Sequence, residues 1–321
     1  MRTPGRPCRR SWVMAKKPDL LIMGSGAMAC LFGARLAPLA DVTLLGTWEA
    51  GLAAIERQGI CVLGPDGQEQ RQRVRVAREP SACRGARQAL VLVKSWQTER
   101  AARQLAECLD PEGVALTLQN GLGNLEILVD HLSPERAALG ITTMGATLVE
   151  PGIVRVGGVG PTHVARHPRL GPVASLLEQA GFEVHFEAQI VSLVWGKLAI
   201  NAAINPLTAM LEVPNGELLQ REGTLAVMTE AAREAQAVAE AQGVGLPFAE
   251  AAARALEVAE WTAANHSSML QDIRRGAPTE IEAICGAVVR EGRRHGVETP
   301  VNWTLWHLVQ AKAQGSKGAH S

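Results

Sequence analysis

Leu20-Leu21-Ile22-Met23-Gly24-Ser25-Gly26-Ala27-Met28-Ala29-Cys30-Leu31 is the stretch on which the fold turns. A short apolar run stops at a glycine turn, and a helical pattern then continues to about Leu39. Strand, glycine turn and helix form the setting in which Gly-x-Gly-x-x-Gly/Ala binds a dinucleotide. Here Gly24 permits the tight turn, Gly26 lets the backbone approach a pyrophosphate, and Ala29 is small enough for the helix to pack on the strand. The helix start offers unpaired N–H groups and the positive end of its dipole to phosphates. Ser25, Ala27 and Met28 therefore join Gly24, Gly26 and Ala29 as candidate cofactor-binding residues. The competing reading is a plain strand–helix turn, since the motif alone is widespread.

Outward from this stretch, Asp41 to Leu45, Ala89 to Val93 and Val114 to Leu118 read as further buried strands, with a helix over Thr98 to Leu109. Strands alternating with helices predict a parallel sheet covered on both faces. From about Ala137 the pattern changes: Pro151-Gly152 marks a hairpin, Gly171 to Ala180 is helical, and Glu183 to Phe186 is a last strand. After Gln189 only helical patterns follow, over Val191 to Met210, Glu222 to Gln242, Pro247 to Asn265 and Pro278 to His295. The fold class is α/β, with an N-terminal Rossmann-type dinucleotide-binding domain over residues 19–188 and an all-α C-terminal domain over 189–315. Residues 1–18 are a basic leader, expected to be disordered, with Met14 as an alternative start.

The 321 residues carry 32 basic and 32 acidic side chains. That balance argues against a nucleic-acid surface and for a small-molecule substrate. Six scattered cysteines have neither zinc-site spacing nor the density of a disulfide scaffold, so reduced thiols in a cytoplasmic protein are expected. No run reads as a signal peptide, and none supplies roughly 18 unbroken apolar residues for a membrane span. Tyrosine is absent, which excludes carbonyl reductases that work through a Tyr–Lys pair.

The segment Val191 to Ala209 is apolar around most of its circumference, yet Lys197, Asn201 and Asn205 recur at intervals of four and share one face. A lysine in such a place must meet a partner or a cleft. One reading is a cleft where Lys197 donates a proton and the amides orient a substrate; the other is a structural network between helices. Pro206 is expected to kink or break the helix beside the stripe and free carbonyls there. Glu280 and Glu282 follow Pro278 in what reads as the first turn of a helix, where the dipole favours negative charge. His266, ahead of Ser267-Ser268, is the rival proton donor.

Several segments together resemble the ketopantoate reductase family: Gly24 to Met28, Val93-Lys94-Ser95-Trp96-Gln97-Thr98, Leu118-Gln119-Asn120-Gly121-Leu122-Gly123-Asn124, Lys197 to Thr208, Pro214-Asn215-Gly216-Glu217-Leu218, and Ser267 to Ile273 with Thr279-Glu280-Ile281. The resemblance implies NADPH-dependent reduction of ketopantoate, a step toward pantothenate, in a cleft between the two domains and without a metal. By position it makes Lys197 the catalytic lysine, Glu280 its acidic companion, and Asn120 a neighbour of the nicotinamide and the reacting carbonyl. Lys94 lines the cofactor side, and Asn201, Asn205, Asn215 and Ser268 are substrate ligands. Thr47 departs from the pattern, since many members carry a basic residue there for the 2′-phosphate; NADH therefore stays open. Arg35 and Arg57 are the cations near enough in sequence to substitute. A sibling reductase of another 2-oxo acid and a non-catalytic dinucleotide sensor are the competing functions. Whether the protein is a monomer or a homodimer stays open.

Overall fold

The computed structural model describes residues 17–64 and 66–318, with side chains to residue 315; residues 1–16 of the expected leader, Met14 included, lie outside the described residues, while its last two are held to the fold, Lys17 Nζ donating to the Ala37 carbonyl at 3.2 Å and the Pro18 carbonyl accepting from Asp41 N–H at 2.9 Å. The N-terminal half runs β1 (Asp19–Met23), α1 (Ala27–Leu36), β2 (Asp41–Leu45), α2 (Glu49–Gln58), β3 (Ile60–Leu63), β4 (Glu69–Gln72), β5 (Arg75–Ala77) and β6 (Ala86–Val91). It continues with α3 (Thr98–Cys108), β7 (Leu109–Thr117), α4 (Asn124–Leu132), β8 (Ala137–Thr142), β9 (Ala146–Glu150), β10 (Ile153–Val156), β11 (Thr162–Ala165), α5 (Gly171–Gln179) and β12 (Val184–Glu187). Only helices follow: α6 (Ile190–Leu211), α7 (Glu222–Ala241), α8 (Ala251–Trp261), α9 (Ser268–Arg274), α10 (Cys285–His295) and α11 (Pro300–Gly318).

The main sheet has the order β12-β11-β8-β7-β6-β1-β2-β5. From β8 to β5 all pairings are parallel, and the hand changes only where β11 meets β8. Alternation in β1 divides its side chains between the two faces. Leu20 and Ile22 join the core under α1, and Leu21 and Met23 join the core with Ala101, Leu105 and Leu128 of α3 and α4. A second sheet, β4-β3-β10-β9, covers the outer side of α1. The sequence reading anticipated only its β9–β10 hairpin, because β3 and β10 pair in parallel across a long chain separation.

α6 is the axis of the helical half. Trp195, Leu198, Ala202, Ala203 and Ile204 are buried against residues of α7, α8, α9 and α10. By length and composition α6 would suffice to cross a membrane, but 67% of its apolar window is buried inside the protein, as befits a core helix. The expected break at Pro206 does not occur, and the helix runs through it. Proline cannot donate to the Ala202 carbonyl one turn back; the Cys285 thiol faces that oxygen instead, at 3.9 Å. The freed carbonyl is thus turned into the core rather than into a polar pocket.

The helix expected from Pro278 begins only at Cys285. Residues 280–284 form tight turns, with Ala283 and Ile284 N–H both donating to the Glu280 carbonyl. The Ala283 carbonyl accepts from Leu122 of the N-terminal half at 3.0 Å. A carbonyl engaged across the cleft is diverted from the helical ladder, so Glu280 sits on a turn and not at a helix N-terminus.

Candidate active site

Parallel pairing brings the carboxyl ends of β1, β2, β5, β6, β7 and β8 to one edge, where ligands bind in open α/β sheets. The residues leaving those strands form one wall of a cleft, and α6, α9 and the 280–284 turn form the other. At the head of β1, Gly24 has φ +120°, and its N–H donates to the Leu45 carbonyl at 2.7 Å. A side chain built on Gly26, the N-cap of α1, would meet nothing within 4 Å, so open space lies beside a helix N-terminus, the kind of place that favours phosphates. Ser25 and Ala29 are buried, while Ala27 and Met28 are partly exposed.

Asn120 follows β7 in a loop fixed by its neighbours. Gln119 Nε2 donates to the Val93 carbonyl (2.9 Å) and to Thr98 Oγ1 (2.8 Å). Thr98 Oγ1 lies 2.8 Å from Asn124 Oδ1, and Asn124 Nδ2 donates to the Asn120 carbonyl at 3.0 Å. No local pattern gives Gln119, Thr98 and Asn124 a role; together they hold Asn120 in place. Gly121 has φ +84°, and a Cβ there would collide with Ala283, so glycine is required for the two halves to meet.

Glu280 is 5% exposed and gathers three donors from the opposite half. Ser95 N–H reaches Oε1 at 3.1 Å, while Lys94 Nζ and Asn120 Nδ2 reach Oε2 at 3.4 and 3.3 Å. Lys94 also donates to Asp272 Oδ2 at 2.7 Å, and Arg275 donates to Asp272 Oδ1 at 2.9 Å. Burial works against the Lys94 ammonium, but the Glu280 and Asp272 carboxylates outweigh it and hold its pKa above the ordinary lysine value. Burial pushes the Asp272 carboxyl up, against the pull of Lys94. The Ser-Ser-Met-Leu-Gln-Asp block by itself gives Asp272 no role; its partner Lys94 lies 178 residues away, a distance no local pattern bridges.

Lys197 stands apart from that cluster. Its Nζ donates to the Thr142 carbonyl at the end of β8, at 2.6 Å. Burial pushes its pKa down to about 8, with Glu280's charge opposing the shift. A cavity of about 40 Å³ is lined by Lys197, Asn201 and Asn120, with Gly121, Leu139 and Ile141 among its walls. The structure thus brings together Lys197, Asn201 and Asn120 at one cavity, and Asn120, Glu280 and Lys94 by hydrogen bonds.

The other residues singled out from sequence do not line that cavity. Asn205 is buried one turn beyond Asn201, and its carbonyl accepts from Thr208 Oγ1, which lies 2.6 Å from Ser267 Oγ. Ser267 caps α9 by accepting from Leu270 N–H, and Ser268 opens that helix, partly exposed. Asn215 Nδ2 donates to Thr262 Oγ1 at 2.9 Å, while its buried Oδ1 has no protein partner among the described residues. His266 is exposed. Arg35 lies over the Phe182 ring at 5.0 Å, and Arg57 is on the last turn of α2; neither stands at the tip of β2.

A parallel sheet with a glycine turn at the head of β1, an anion-ready helix start, and a part-buried lysine sharing a cavity with two amides have the build of a Rossmann-type oxidoreductase. The family description "Ketopantoate reductase PanE/ApbA" matches residues 20–169, and its C-terminal counterpart matches residues 189–313. The chain belongs to the ketopantoate reductase family. The 2-dehydropantoate 2-reductase of Halobacterium salinarum is 38% identical over 297 residues, covering 91% of this chain and 97% of that protein. Among solved structures, a PanE/ApbA family ketopantoate reductase from Ralstonia eutropha JMP134 superposes with a TM-score of 0.87 at 31% identity, covering 93% of this chain and 99% of that one. A ternary structure of D-mandelate dehydrogenase with NADH and anilino(oxo)acetate superposes with a TM-score of 0.88 at 25% identity, with the same coverage.

Proposed function

We infer that this chain reduces the 2-oxo group of ketopantoate to the alcohol with NADPH as hydride donor, in the cytoplasm, on the route to pantothenate. The observation that carries the reading is the part-buried Lys197, with its lowered pKa, on one cavity with Asn120 and Asn201. Bound NADPH supplies a hydride to C2 of the substrate. Lys197, as ammonium, stabilises the charge that develops on the carbonyl oxygen and delivers the proton. A donor pushed down to about 8 gives up its proton more readily near neutrality than an ordinary lysine. Asn120 donates to the same oxygen. Asn201, Asn205, Asn215 and Ser268 hold the substrate's polar ends, and Glu280 accepts from its hydroxyl while keeping Lys197 charged. The phosphates rest on Gly24 to Ala29, and Lys94 borders the nicotinamide side.

We assign residues 19–188 to the cofactor domain and 189–315 to the substrate domain, with the join between β12 and α6 as the place about which they close. The charge balance and the buried free thiols support a cytoplasmic enzyme of a small substrate.

A second reading, an NADH-dependent reductase of another 2-oxo acid, draws on the D-mandelate dehydrogenase likeness and on Thr47. The test is loss of dihydronicotinamide absorbance with ketopantoate, pyruvate and 2-oxoisovalerate, each with NADPH and with NADH. Turnover selective for ketopantoate with NADPH supports the first reading. Preference for another 2-oxo acid, in folded protein that binds a dinucleotide, overturns it in favour of the second.

A further inference from the structure

Leu45 at the end of β2 pairs with Met23 on one flank and with Ala77 on the other. The chain leaving β5 therefore emerges beside the chain leaving β2, and the Gly46 N–H donates to the Ala77 carbonyl at 3.2 Å. The first residue past β5 is Arg78. In this fold class the adenosine ribose lies off the end of β2, where an acid reads its 2′-hydroxyl or a nearby arginine takes the 2′-phosphate. Arg78 and Glu49, the first residue of α2, occupy that corner together. Arg78 Nε lies 2.9 Å from Glu49 Oε2, and Nη2 lies 2.8 Å from Glu49 Oε1 and 3.2 Å from Glu56 Oε2. The side chains of Arg78 and Glu49 are 40% and 68% exposed.

The nearby cations lie elsewhere. Arg35 is over Phe182, and Arg57 is at the far end of α2. Arg75 is at the start of β5, bonded to Thr43 Oγ1 and Asp19 Oδ1.

We propose that Arg78 reads the 2′-phosphate of NADPH in place of a basic residue at position 47, and that Glu49 is its placeholder in the free protein. The proposal rests on the reading of this edge as an NADPH site. A guanidinium fork that grips a carboxylate through two nitrogens presents the geometry a phosphate needs. An exposed ion pair contributes little stability, so exchanging Glu49 for a phosphate oxygen costs little. Glu49 opposes the exchange by like-charge repulsion and is itself suited to accept from a 2′-hydroxyl. The pair sets cofactor preference by the balance of its two members.

The test is calorimetric titration of NADPH and of NADH, without substrate, into the wild type, Arg78→Ala and Glu49→Gln, with thermal melts to show that each variant is folded. NADPH binds the wild type more tightly than NADH. Arg78→Ala weakens NADPH by about tenfold or more and leaves NADH within about twofold. Glu49→Gln tightens NADPH several-fold and weakens NADH. An unchanged NADPH-to-NADH ratio in Arg78→Ala overturns the proposal and leaves the assigned reaction standing. Wild-type protein that binds NADH as tightly as NADPH overturns the proposal and the cofactor assignment, but not the chemistry. Binding of neither dinucleotide overturns both the proposal and the proposed function.

Discussion

Lys94 and Lys197 border the same cleft, one from each half of the chain, and their surroundings drive them in opposite directions. Lys94 meets two carboxylates, at 2.7 and 3.4 Å, and its pKa is raised although burial opposes that. Lys197 meets a neutral carbonyl, and burial takes its pKa down to about 8 with only Glu280's charge to offset it. The difference lies in the partners. A lysine in contact with carboxylates is a fixed charge, suited to holding two halves or an anionic cofactor. A lysine enclosed without a contacting carboxylate is a group that can lose its proton near neutral pH. The second has the properties of a proton donor, in keeping with the proposed roles of Lys94 in position and Lys197 in chemistry.

Removing each lysine's function separately is the strongest way to break this division. Lys197→Ala should lower kcat by about 10²–10⁴-fold, with the dinucleotide Kd and the melting temperature close to wild type, as checked by steady-state kinetics, titration and calorimetry. The ammonium form of Lys197 is disfavoured by folding, so its loss removes a cost at neutral pH rather than a support. Activity within a few fold of wild type would pass the role of donor to another group, with His266 the first to test.

The contact that brings the two lysines to one cleft is the next target. Gly121→Ala places a side chain at φ +84° and against Ala283. It should cost about 1–2 kcal/mol or more in denaturant unfolding, and displacement of Asn120 should lower kcat/KM by about 100-fold. Unchanged kinetics would show that the Gly121–Ala283 contact does not set the catalytic geometry.

A smaller effect is expected at the Lys94 corner. Asp272→Asn removes one of two carboxylates from Lys94 and the partner of Arg275, at a cost of about 1–3 kcal/mol in urea unfolding, because Glu280 stays in place. The variant should weaken dinucleotide binding more than it lowers kcat. A large fall in kcat with unchanged binding would move Lys94 and Asp272 into the chemistry and erase the contrast between the two lysines.

The contrast was only half legible in the sequence. Spacing of four on an apolar helix was enough to single out Lys197, Asn201 and Asn205, because helical periodicity is local. The β1–glycine–α1 unit and the alternation after it were legible for the same reason. The Lys94–Asp272 pair was not, because it closes across 178 residues and neither local window hints at the other. Glu280 was expected at a helix N-terminus, but the Ala283 carbonyl is taken by Leu122, and the helix starts later. Of the kink or break expected at Pro206, the break does not occur: α6 runs through it, and a thiol from α10 faces the orphaned oxygen. Arg78 was passed over because β5, at three residues, is too short to be seen as a strand and so could not be placed beside β2.

The proposed donor is a lysine whose proton affinity is lowered by burial and raised in part by the charge of Glu280. The pH dependence of kcat/KM for ketopantoate reduction, in the wild type and in Glu280→Gln, tests it most directly. With Lys197 as the proposed donor, reduction requires its protonated form, so the wild-type profile should be level below about 8 and fall above it. Loss of the Glu280 charge removes what raises the Lys197 pKa, so the fall in Glu280→Gln should begin at lower pH. A wild-type profile that stays level to pH 10 would rule out Lys197 as the donor, and an inflection that moves upward in the variant would rule out Glu280 as the charge that raises its pKa.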